Sequence, residues 1–147
     1  MNLASLIYNL PKEVVYKIIY YSSKPQPKSL LLDIKNYIKT KKLGIILYSK
    51  KYEHEPDQIF NWFCNDIAIF MNDSFPIMYG YVEKFYNIYF RLKMIKDKQT
   101  ITTIAYKFTK GKPEREMSVL WGLLTPDERI SMIDMFYNEN EIKKLYL

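Results

Sequence analysis

The chain has 147 residues, 48% of them hydrophobic and 26% charged, and a formal net charge of +6. That length suits one domain whose core needs no disulfide or metal, and that balance of apolar and charged residues excludes a disordered chain. A single cysteine excludes an internal disulfide, and one cysteine with one histidine cannot supply the usual zinc ligands.

The charge is uneven. Residues 1–56 hold 10 lysines against 4 acids, whereas residues 113–147 hold 4 basic residues against 7 acids, a polarity that suits head-to-tail association or a bipolar partner. Lysine outnumbers arginine 19 to 3, which matches AT-rich coding and leaves few guanidinium forks for phosphate or base recognition. Cys64 lies in the apolar run Ile59–Phe70 and reads as a buried structural thiol in a reducing compartment. No segment reaches the roughly 18 apolar residues of a membrane helix. Met1–Leu10 lacks the basic start and cleavage site of a secretory signal, so secretion is not expected.

Pro11 predicts the start of a first helix, Leu10–Tyr21, because its missing N–H costs nothing in a first turn. Val14, Ile18 and Tyr21 recur on one face, widened by Val15 and Ile19. Lys24-Pro25-Gln26-Pro27 makes a stiff connector. In a second helix, from Lys28 or Ser29, the apolar face is Leu31, Ile34 and Ile38, with Ile45 beyond. Lys28, Lys35, Lys39 and Lys42 line another face, with Lys41 beside them. Gly44 marks a break, after which Ile45–Tyr52 continues as helix or a short strand.

Pro56 opens a third helix with Ile59, Phe60, Phe63, Ile67 and Phe70 turned inward. Asn72-Asp73-Ser74 interrupts it, and Ser74-Phe75-Pro76 opens a long fourth helix to about Lys96. Gly80 inside that helix predicts close packing against another backbone. Gln99–Thr109 fits a strand by propensity and a helix by period; helix is preferred because no partner strand is evident. Pro113–Leu124 is a short helix, and Thr125-Pro126-Asp127-Glu128 carries a capping box for the next. Glu139–Leu147 reads as a helical or frayed tail. The fold class is all-α: a compact bundle of six to seven helices with short proline-marked loops. It forms a single domain over 1–147, basic over 1–52 and aromatic-rich, then acidic, over 53–147.

No catalytic residue, cofactor, metal or small-molecule substrate is expected. His54, between Glu53 and Glu55, reads as a solvated surface residue. The pairs Asp66 with Asp73 and Asp127 with Asp134 can share helix faces, but read as solvated or capping carboxylates rather than an acid–base pair. The lysine face of Lys28, Lys35, Lys39 and Lys42 is the candidate for nucleic acid, offering salt-sensitive phosphate contacts near Tyr37 and Tyr48. Abundant tyrosine favours a protein partner.

Leu10-Pro11-Lys12-Glu13, followed by Ile18-Ile19 and Tyr21, resembles the opening of an F-box. The resemblance implies that Leu10, Pro11, Glu13 and Ile18 dock onto an adaptor of ubiquitin ligases. The chain departs from that pattern at Pro25-Gln26-Pro27, and its first tryptophan is Trp62. A broader string, Leu10-Pro-Lys-Glu-Val14 through Pro25-Gln-Pro-Lys-Ser-Leu-Leu-Leu-Asp-Ile34, is similar to small proteins of nucleocytoplasmic large DNA viruses, the giant viruses. Met78–Tyr86 and Leu120–Leu124 are similar to later blocks of the same group. This implies a non-enzymatic viral protein acting through protein–protein contacts, such as a minor capsid or other virion component, located in host cytoplasm or virion. The alternatives are an F-box-like adaptor and a basic nucleic-acid binder.

Overall fold

The structure, a computed structural model, describes residues 11–24, 26–92, 94–108 and 111–138. These form seven α-helices and no strand, so the all-α expectation holds. The chain divides into two compact units, one reaching to Leu32 and one starting at Asp33.

In the first unit, α1 (Lys12–Ser23) starts directly behind Pro11, whose carbonyl accepts from the amides of Val14 and Val15 at 2.9 and 3.1 Å. No described side chain of α1 is buried.

Helix α2 (Lys28–Lys51) runs through Gly44 without the expected break. Gly44 is there for space: a Cβ would come within 2.4 Å of the Phe63 ring. The inward face of α2 also differs from expectation. Ile34 and Ile38 are exposed, and the helix buries Thr40, Gly44, Leu47 and Tyr48 instead. Long-range contacts decide this. Tyr48 stacks on Phe63 with centroids 4.4 Å apart, Trp121 Nε1 donates to Thr40 Oγ1 at 3.2 Å, and the Tyr37 hydroxyl donates to the Ser118 carbonyl at 3.1 Å.

A single 3-10 turn, Pro56–Gln58, leads into α3 (Ile59–Met71), which turns Phe63, Ile67 and Phe70 inward as its spacing predicts. The long helix expected over residues 74–96 is not formed. A 3-10 turn (Ile77–Tyr79) and an extended link precede a short α4 (Glu83–Tyr89). Gly80 explains the interruption: it sits at φ 113°, a left-handed conformation that a side chain disfavours, and nothing crowds its missing Cβ. It serves the turn rather than a close helix contact. Fully buried Asn72 braces that loop by donating to the carbonyls of Phe75 (2.7 Å) and Gly80 (3.0 Å) and accepting from Val82 N (2.8 Å).

The ambiguous stretch is helix α5 (Lys98–Phe108), with Thr109 outside the described residues. Asp97 caps it by accepting from both the amide and the hydroxyl of Thr100 at 2.7 Å. Thr102 and Thr103 donate to the carbonyls of Lys98 and Gln99, which suits threonine to a helical turn. Helix α6 (Pro113–Leu123) packs along α3, and α7 (Pro126–Phe136) follows through the predicted capping box of Thr125 and Glu128. The expected tail, Glu139–Leu147, lies outside the described residues.

The α6–α7 corner takes two of the three arginines. Arg91 forks onto Glu128 at 2.5 and 2.7 Å and donates to the Leu123 carbonyl at 2.9 Å. Arg129, 2% exposed, donates to the Trp121 carbonyl at 3.0 Å, to Asp33 at 2.6 Å and to Asn36 at 3.2 Å. Burial pushes the Glu128 carboxyl up, but the Arg91 fork and the Thr125 amide outweigh it and hold the pKa below the ordinary 4.5. Because the folded value is the lower one, this stabilisation is complete above about pH 4.5 and fades as pH falls through the folded value. Glu128→Gln should therefore cost about 1 kcal/mol near neutral pH. Thermal melts of both proteins should converge on acidification; a gap that widens contradicts this.

Candidate functional site

The expected docking motif falls at the start of α1. Leu10 and the side chain of Ile18 lie outside the description, while Pro11 and Glu13 are exposed. The apolar residues around them are exposed too. Tyr16 is 69% and Ile19 56% accessible, and Val14 and Tyr20 also face solvent. In the same unit Leu30, Leu31 and Leu32 are exposed at the start of α2. Burying such side chains is worth roughly 1.5–3 kcal/mol each, so a short unit that leaves seven of them in water holds a large unused driving force for association. The spacing of Val14 and Ile19 predicts an amphipathic helix; it does not show that no described side chain of α1 is buried.

The lysine face is divided between the units. Lys28 is exposed in the first unit; Lys35, Lys39 and Lys42 are exposed in the second. Lys41 is diverted to structure, donating to Ser118 Oγ at 2.9 Å with its ammonium 5.7 Å from the Tyr37 ring centroid. Tyr37 and Tyr48, read as stacking platforms, point inward: Tyr37 is half-buried against α6, and Tyr48 is buried with its hydroxyl on Asp66 at 2.6 Å. Burial first, then Asp66, pushes the Tyr48 hydroxyl well above its ordinary range, so it stays a donor. The lysine row is exposed, but neither Tyr37 nor Tyr48 offers it an aromatic floor, and two of the three arginines, Arg91 and Arg129, are committed to the α6–α7 corner.

Among the described residues no group of three or more His, Cys, Asp and Glu side chains is placed to hold a metal ion. His54 is exposed, 3.6 Å from Glu53. Asp66 is engaged by Tyr48, and Asp73 faces Lys84 at 3.3 Å. A cavity of about 260 Å³ lies between α3, α4 and α6, lined by Cys64, Asn65, Tyr81, Phe85, Glu116 and Leu120. Cys64 donates to the Pro113 carbonyl at 3.3 Å. Burial, and secondarily the Glu116 charge, push its thiol up to about 12, which keeps it protonated and a poor nucleophile at neutral pH.

Among the described residues no helix is long and apolar enough to cross a membrane. Comparison with family models, with curated proteins and with solved structures returned no match.

Proposed function

We propose that this is a non-enzymatic viral protein that works through protein–protein contacts, as a minor virion component, with α1 as its docking helix. The observation that carries this reading is the exposed apolar set of the first unit, Val14, Tyr16, Ile19 and Tyr20 with Leu30, Leu31 and Leu32. A protein surface with matching apolar grooves is the partner chemistry that such a helix fits.

The test is affinity capture with the full chain from infected cells, wild type against Tyr16→Ala/Ile19→Ala. Both side chains are exposed, so melting should stay within a few degrees while capture of the partner falls at least tenfold. Equal capture by both proteins would overturn the docking role, and absence of the protein from purified virions would overturn the virion role.

A second reading, an F-box-like adaptor, is favoured by the exposure of Pro11 and Glu13 at the head of α1. Under it, Leu10→Ala/Pro11→Ala removes a ubiquitin-ligase adaptor from the captured set; an adaptor retained by that variant counts against it.

A further inference from the structure

Two exposed strips of the second unit match in spacing and oppose in charge. One, on α2, carries Lys35, Lys39 and Lys42 beside Ile34 and Ile38. The other, on α7, carries Asp127 and Asp134 around Ile130, with Met135 at its edge. Lys35 and Lys42 are seven residues apart, as are Asp127 and Asp134, so each pair spans two helical turns, about 10.5 Å, on one face. Among the described residues none of these five charges enters an ion pair within the chain.

Charge alone would suit solvation. The apolar residues between the charges do not: Ile38 is 61%, Ile130 47% and Met135 49% accessible. The two helices are tied at their inner faces by Arg129, Asp33 and Asn36, so a basic and an acidic strip lie on neighbouring helices of one unit. The basic strip of one copy is complementary in charge to the acidic strip of another.

We propose that these two strips dock a second copy of the chain, α2 of one copy receiving α7 of the other. Lys35 and Lys42 then face the partner copy's acidic pair, and the isoleucines meet between them. Apolar contact supplies the affinity, while the charges select the partner and set the register. The inference stands independently of the docking role of α1, whose residues it does not use.

Sedimentation velocity of the full chain over a concentration series tests it. Wild type should show concentration-dependent self-association that weakens with added salt. Lys35→Glu/Lys42→Glu and Asp127→Lys/Asp134→Lys should each weaken self-association at least tenfold, and an equimolar mixture of the two should restore it. Asp127 sits in the first turn of α7, where an acid favours the helix, so Asp134→Lys alone serves as the second partner if the double variant melts early. A wild type that stays monomeric up to about 0.5 mM, or a mixture that restores nothing, overturns the proposal. So does a monomer whose lysine row instead binds a short DNA duplex with steep salt dependence, which would assign that row to nucleic acid.

Discussion

Trp121→Ala is expected to destabilise the fold by about 3–5 kcal/mol. Trp121 is fully buried, meets Phe63 edge-on at 5.3 Å and donates to Thr40 Oγ1 at 3.2 Å. Phe63 in turn stacks on Tyr48 and fills the space left by Gly44. Removing the indole therefore empties the point where α2, α3 and α6 meet. For a chain of this length that loss lowers the melting temperature by about 10 °C or more. Trp121→Phe keeps most of the volume and gives up one hydrogen bond, whose acceptor Thr40 Oγ1 still donates to Asn36 O at 2.7 Å; its cost is about 1–2 kcal/mol. Denaturant melts of both variants check the ranking. Fluorescence adds a control, because the remaining Trp62 is 40% exposed and should emit to the red of wild type. A loss below about 1 kcal/mol for the alanine variant would show that the three helices do not depend on this contact.

The second large effect is expected at Arg129. Its guanidinium is buried, yet the Asp33 carboxylate that pairs with it is 43% exposed. The pair itself is therefore screened on one side, and most of the cost of Arg129→Ala comes from the groups left behind: the Trp121 carbonyl and the Asn36 side chain lose their donors. Together these give a loss of about 3–5 kcal/mol. Arg129→Lys should recover only part, since one ammonium cannot reach the donor directions of a fork. A double-mutant cycle of Arg129→Ala with Asp33→Ala separates the two contributions. The coupling should be about 1 kcal/mol, well below the single-variant loss; a coupling as large as that loss would assign the whole effect to the ion pair.

These two sites show why some of the fold was legible and some was not. Features written in adjacent residues were read correctly. Pro11 starts α1, and Thr125 with Glu128 builds the predicted box at the head of α7. The threonines of α5 were ambiguous by propensity alone, and local hydroxyl bonds together with the Asp97 cap make them helical. Features that depend on distant partners were not legible. By composition Ile34 and Ile38 look more core-like than Thr40 and Gly44, but Trp121 and Phe63 select the latter face. Gly80 was visible as an oddity inside a helical pattern, while its meaning, a left-handed turn braced by Asn72, needed the loop geometry. Of the docking motif, Pro11 and Glu13 are exposed, and so are Lys28, Lys35, Lys39 and Lys42, whereas Tyr37 and Tyr48, read as aromatic platforms, face inward. The scarcity of arginine was plain from composition; that Arg91 and Arg129 are committed to one internal corner was not, because Arg129 and Asp33 are almost a hundred positions apart.

Cys64 gives the molecule a built-in clock. Burial and the Glu116 charge keep the Cys64 thiol protonated near neutral pH while the fold is closed. Once the contact between α3 and Pro113 separates, the same sulfur returns to its ordinary ionisation and reacts far faster. Because the chain has a single cysteine, the labelling rate reports the opening of that helix contact without any engineered probe.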